Sequence, residues 1–227
     1  MQVQTKLGEL LYPLLEVDDE AWGMYAFSRD ILNRRISPET KREMLKQARA
    51  CGIEYAQRMM LEYGTRDVRV LAERMNLKLE FKDALMTGKR VLFASYTPPD
   101  RIEIMEEPLR RAAEQVREAG PGLVELFPQA GIMNTILGHE IYHFVEDRFA
   151  QEIYTRTERI LLWKLLGLKN YSTIRTLSEV GAMAFTQELN RLRYPPFILD
   201  VLLYYSYDSA SAETITRDVL GVSSGKV

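Results

Sequence analysis

The chain holds two histidines, and they sit four residues apart around a glutamate: His139-Glu140-Ile141-Tyr142-His143. A random order of this composition yields that pattern in roughly one shuffle per thousand, so the spacing carries information. On a helix, positions i and i+4 share one face, with Cβ atoms ~5–6 Å apart. Two imidazoles placed so can both reach one metal ion at the ~2.0–2.1 Å that Zn–N bonds require. The motif therefore asks for a helix whose His-Glu face looks into a cleft.

In that arrangement His139 and His143 are neutral ligands to Zn²⁺. Glu140 does not ligate; it accepts a proton from the attacking water and passes it to the leaving amine. The bland reading is a pair of half-exposed histidines on an amphipathic helix beside a solvated glutamate. It is disfavoured because both histidines of the chain fall on one metal-competent face. A catalytic zinc needs a third protein ligand. Asp147 is ~12 Å from His139 along the helix axis and cannot share the ion. No third histidine exists and Cys51 stands alone, so the ligand is a carboxylate. Glu152, Glu158, Glu179 and Glu188 are the downstream candidates. Glu179 ranks first because Val180, Gly181, Ala182, Met183, Ala184 and Phe185 surround it with small and apolar residues. A carboxylate there is costly to bury without a partner such as a cation. Its plainer role is as a first-turn residue facing solvent. Beyond the metal, a developing oxyanion asks for a donor. Tyr142, Tyr154, Tyr171, Tyr204 and Tyr205 stand unranked for it.

At 227 residues with 46% apolar and 27% charged side chains, the chain suits one large globular unit or a unit with an appendage. The formal net charge of −2 gives no global attraction to nucleic acid. One cysteine allows neither an internal disulfide nor a Cys-based zinc site. Met1 to Leu15 has no continuous apolar run of the signal-peptide kind, and Ile160 to Leu168 is too short to span a bilayer. These features lead to an expectation of a cytoplasmic protein without a membrane partner.

Ser37-Pro38 marks a helix start, and Met44, Ala48, Cys51, Tyr55 and Met59 follow at the helical period. Gly64 is a stop signal, and Thr65 is the expected cap of a second helix through Val68, Leu71, Ala72 and Met75. Leu77, Leu79 and Phe81 alternate with charged residues, as in a half-buried strand. Val91 to Tyr96 and Arg101 to Met105 make a hairpin around Thr97-Pro98-Pro99-Asp100. Glu106 to Ala119 reads as a charged helix, and Leu123 to Phe127 as a short strand. The motif helix is expected from Asn134 or Thr135 to about Arg148, with further helices near 152–166, 173–192, 197–205 and 209–220. Ser223 to Val227 reads as a frayed tail. The sum is an α+β class: mostly helical, with a small three-to-four-stranded sheet beside the motif helix. Residues 1–64 form an N-terminal helical region, 65–192 the catalytic region, and 193–227 C-terminal helices and tail.

His139-Glu140-x-x-His143, followed by Glu179-x-x-Ala182-x-x-Phe185, resembles the ImmA/IrrE-type metallopeptidases over about residues 65–190. The resemblance implies a zincin-like minimal metallopeptidase fold of the gluzincin-like kind. It implies His139, His143 and Glu179 as zinc ligands and Glu140 as the base. It also implies a peptide or protein substrate, with a helix-turn-helix repressor as the named class, paired to the edge strand at Val91 to Tyr96.

Two other classes compete. A di-iron carboxylate protein would need a second Glu-x-x-His, which this sequence lacks. A regulator is the stronger rival, either reading DNA through a helix-turn-helix at Thr65 to Asn76 or acting as a catalytically silent zinc-binding protein. The strand-like run after Asn76 argues against the former, so no direct nucleic-acid contact is expected.

Overall fold

The computed structural model describes residues 5–83, 86–87 and 90–225. Helices dominate, and a small sheet lies against them. The N-terminal part carries α1 (Lys6–Leu11), α2 (Asp19–Ser28) and the long α3 (Pro38–Tyr63). The local signals of α3 act as read. Ser37 accepts the Thr40 amide, Pro38 occupies the first position, and Gly64 closes the helix with φ of 62°. Met44, Ala48, Cys51, Tyr55 and Met59 are all buried along its inner stripe. Next come α4 (Val68–Arg74) and β1 (Lys78–Lys82). The cap of α4 is Asp67, which accepts the amides of Arg69 and Val70; Thr65 instead braces the Asp67 amide. A carboxylate two residues nearer the helix outcompetes the expected hydroxyl.

The short strands β2 (Met86–Thr87) and β3 (Arg90–Val91) pair with each other. Then β4 (Ala94–Thr97) and β5 (Arg101–Met105) form the expected hairpin, with Tyr96 opposite Ile102; its first strand begins at Ala94 and not at Val91, which pairs with Met86 in the separate β2-β3 ladder. The main sheet has three strands in the order β1-β5-β4, with β1 parallel and β4 antiparallel to β5. Ile102 and Ile104 of the central strand are fully buried, whereas Phe81 on the edge strand β1 is 51% exposed. The inward alternation expected of Leu77, Leu79 and Phe81 thus stops short of Phe81.

Helix α5 (Glu106–Ala119) follows as read. The expected strand at Leu123 to Phe127 is instead the helix α6 (Pro121–Leu126), begun by Pro121 with its fixed φ and seated by buried Leu123. The motif helix α7 (Gln129–Arg148) begins earlier than its polar signals suggested, with Pro128 as cap. It runs through the middle of the fold, packing on α9, β4 and β5, and buries Ile132, Met133, Ile136, Leu137, Ile141, Tyr142 and Val145.

The region expected to be a helix at 152–166 is different. A single turn, α8 (Tyr154–Thr157), leads into a separate two-stranded hairpin of β6 (Arg159–Leu165) and β7 (Leu168–Thr173). An apolar run of that length reads as helix or strand equally well. Leu166-Gly167 decides it, as both residues take positive φ (47° and 85°) and turn the chain back. The final helices are α9 (Arg175–Asn190), α10 (Ile198–Tyr205) and α11 (Ser209–Ser223). Of the expected tail, Ser223 still belongs to α11, and residues 226–227 lie outside the described residues.

One hydrophobic core joins all three sequence regions, from Leu7 and Trp22 through Ile141 to Val219. Trp22 stacks on Phe197 at 5.6 Å with an interplanar angle of 7°, tying the N-terminal helices to the C-terminal ones. Among the described residues no helix is long and apolar enough to cross a membrane.

Candidate metal centre

Helix α7 presents His139 and His143 one turn apart, their rings 4.7 Å apart at an interplanar angle of 77°. Their Nε2 atoms face each other at 3.0 Å. Helix α9 crosses α7 and brings Glu179 to the same point, its Oε2 3.4 Å from His139 Nε2. The three ligand atoms all lie within 4.8 Å of one another. Among the described residues no other set of three His, Cys, Asp or Glu side chains converges in this way. Of the four carboxylates open in the sequence, Glu179 is the one that joins the imidazoles. Glu152 pairs with Arg58, and Glu188 accepts from Gln57.

This crossing is close because its residues are small. A Cβ added at Gly181 would meet the Tyr142 hydroxyl at 2.3 Å, and one at Gly52 would meet the Gly181 carbonyl at 2.2 Å. Glycine at both positions lets α9 seat between α3 and α7, which sets how far Glu179 stands from the histidines.

The donor set fits a divalent cation. About a tetrahedral centre with ~2.0–2.1 Å bonds, neighbouring ligand atoms stand about 3.3 Å apart. The 3.0 Å and 3.4 Å separations are of that size. Proton placement agrees. Ser178 donates its hydroxyl to Glu146 Oε2 at 2.8 Å, so the contact of Ser178 Oγ with His143 Nδ1 at 3.4 Å is made by an Nδ1–H. That tautomer leaves a lone pair on His143 Nε2, aimed at His139 and Glu179. Two nitrogens and a carboxylate oxygen crowded around one point call for positive charge.

In metal-free protein a proton would supply that charge. Burial pulls the His139 pKa down, but the hydrogen bond and charge of Glu179 outweigh it and carry it up to about 9. Burial likewise raises the Glu179 carboxyl. His139, then His143 and Arg175, overcome this and hold it at about 2.

Glu140 is 8% exposed, and its Oε2 accepts the backbone amide of Tyr96 at 2.7 Å. The donor lies on β4, an edge of the sheet, so the strand end and the motif glutamate are fixed together.

Two groups near the centre were missed in the sequence. Glu146, 1% exposed, follows His143 by three residues on the same helix. Besides Ser178, it accepts the Thr155 hydroxyl at 2.6 Å and lies 3.1 Å from Arg156 Nε. Burial would raise its pKa, but the hydrogen bonds of His143, Thr155 and Ser178 and the charge of Arg156 hold it below the usual carboxylate range. The i, i+3 spacing from His143 was the available signal. Asp200 on α10 is the other. Burial pushes its carboxyl up; His139 pulls it down, Glu179 pushes it up again, and the result is about 6. No local pattern marks Asp200, since tertiary folding alone brings α10 there.

Of the tyrosines considered as oxyanion donors, Tyr142 is withdrawn. It is fully buried, and its hydroxyl lies 2.9 Å from Thr155 Oγ1. Thr155 gives its own proton to Glu146, so Tyr142 must donate to it. A separate cleft on the sheet side, lined by Arg69, Phe81, Glu106, Leu109, Gln129 and Met133, shares no residue with the centre.

No family model, curated protein or solved structure matches this chain.

Proposed function

We propose that the chain is a zinc-dependent peptidase of the zincin type, with His139, His143 and Glu179 as the metal ligands and Glu140 as the general base. The convergence of two Nε2 atoms and one carboxylate oxygen within 4.8 Å carries this reading. When bound, zinc would supply Lewis-acid polarisation of a carbonyl and easier ionisation of water. The chain's own groups do the rest. Glu140 keeps Oε1 to take a proton while the Tyr96 amide steadies Oε2. Edge strand β4 lies beside Glu140, where an extended peptide could add as a further strand. The Ser178–Glu146 relay keeps the His143 lone pair on Nε2. A helix-turn-helix repressor as substrate follows from the resemblance in motif order.

The test is reconstitution with zinc, elemental analysis and incubation with a peptide library, for the native chain and for Glu140→Gln. About one zinc per chain is expected in both, with cleavage by the native chain alone. Absence of zinc from both sinks the site. Zinc without cleavage in either leaves the catalytically silent regulator.

A further inference from the structure

The β6-β7 hairpin projects from the helical body between α8 and α9 and shows apolar side chains on every side. Cross-strand pairing puts Leu161 beside Tyr171 on one face, and Trp163, Leu165 and Leu168 on the other. Their exposures run from 44% for Leu161 to 69% for Leu168. Leu166 at the tip is 95% exposed and has φ of 47°, a position where asparagine or glycine is favoured. A leucine there suits neither the backbone nor water.

Charge on the hairpin is one-signed. From Arg159 to Ser178 there are four basic residues and no acidic one, in a chain whose net charge is −2. Lys164 and Lys169 stand directly opposite each other in the ladder. Like charges so placed are destabilising, and the cost is relieved by an anionic partner.

We infer that this hairpin is a peripheral membrane anchor for anionic lipid. Lys164 and Lys169 meet the phosphates, while Leu165, Leu166 and Leu168 enter the acyl boundary and Trp163 and Tyr171 lie at headgroup level. Trp163, Leu165 and Leu168 line one face and Leu166 caps the tip, while Lys164 and Lys169 stand just behind them on the opposite face; an apolar end backed at once by paired cations matches the order of acyl boundary and anionic headgroup. At ~3.3 Å per residue, the tip reaches only a few ångströms past the lysines. That depth suits interfacial seating rather than spanning. The anchor departs from the sequence-based expectation of no membrane partner, which rested on the absence of a spanning segment. Because it is independent of the metal chemistry, its failure and that of the peptidase reading are separable.

The test is co-sedimentation of the full chain with vesicles of phosphatidylcholine alone, or with about 30 mol % phosphatidylserine. Binding to the anionic vesicles alone is expected. The chain has two tryptophans and Trp22 is fully buried, so a blue shift and protection from quenching report on Trp163. Lys164→Glu with Lys169→Glu should weaken binding by more than about tenfold. Leu166→Asn is the decisive variant, since it eases the turn and should keep or raise the melting temperature while weakening vesicle binding. No binding to either vesicle overturns the proposal, as does equal binding to both that ignores the lysine reversals. A hairpin-dependent dimer on a sizing column also overturns it, in favour of a second copy of the chain.

Discussion

The backbone amide of Tyr96 donates to Oε2 of Glu140 at 2.7 Å, joining the end of a sheet edge to the middle of the motif helix. The glutamate is thereby held in one orientation. Shortening it by one methylene, as in Glu140→Asp, forces a choice between the Tyr96 amide and the cleft. Zinc content should stay near one per chain, because this residue is not a ligand. Cleavage should fall about a hundredfold, the usual effect of misplacing a reacting group by an ångström. Initial rates on one cleaved peptide, alongside elemental analysis, provide the check; an unchanged rate would remove Glu140 from the proton path.

Glu146 meets His143 through Ser178, and in the proposed site it would tune the metal through that ligand. Glu146→Gln keeps the shape but weakens acceptance from Ser178 and leaves Arg156 only its more distant acidic partner, Asp147 at 4.0 Å. Residues of this second layer tune metal affinity by ~10–100-fold. Competition against a chromophoric chelator should show a loss of that size, with Ser178→Ala changing affinity in the same direction. Native affinity in both variants would show that the relay does not orient the ligand.

In the proposed site, zinc and a proton would compete for His139. With its pKa at about 9 in the metal-free fold, zinc must displace a proton throughout the neutral range. Affinity should rise about tenfold per pH unit between pH 6 and 8, the slope for one proton released. Stability of the metal-free protein runs the other way. The raised His139 pKa contributes fully below its ordinary 6.5 and is lost as pH climbs through about 9. The depressed Glu179 pKa contributes above its ordinary 4.5 and is lost as pH falls through about 2. Denaturant midpoints of metal-free protein across pH should therefore show this pair at full strength between 4.5 and 6.5. A midpoint that rises from pH 7 to 9 would contradict the pairing.

The local signals of this sequence were legible where one period or one cap dominated. The inner stripe of α3, its Ser37 and Gly64 ends, and the β4-β5 hairpin all follow directly from residue type and spacing. The two histidines and Glu179 were legible because the composition left few other ligands. Three features were not. The Leu161-Leu162-Trp163 run has no period that separates helix from strand, and a turn with leucine in the left-handed region is the opposite of the usual signal. The start of α7 at Gln129 hides behind Pro128, which offers no side-chain cap. Asp200 reaches the site through the packing of α10, and nothing near it in sequence announces that.

The last prediction concerns the crossing that sets the site. Gly52→Ala places a methyl group 2.2 Å from the Gly181 carbonyl, a backbone atom that cannot rotate away. Helices α3 and α9 must separate, and α9 carries Glu179. Overpacking of this kind costs about 1–3 kcal/mol. In a chain of this size that lowers the melting temperature by roughly 2–4 °C for each kcal/mol. Zinc affinity should fall with it, because Glu179 moves relative to His139. Gly64→Ala is the matched control. Its φ of 62° penalises any side chain, but only the end of Arg74 lies near, at 3.6 Å, and the site is elsewhere. It should cost about 1 kcal/mol and leave zinc affinity unchanged. Thermal unfolding of both variants, with and without zinc, separates the two effects; equal zinc affinity in Gly52→Ala would show that the α3–α9 contact does not position the ligand.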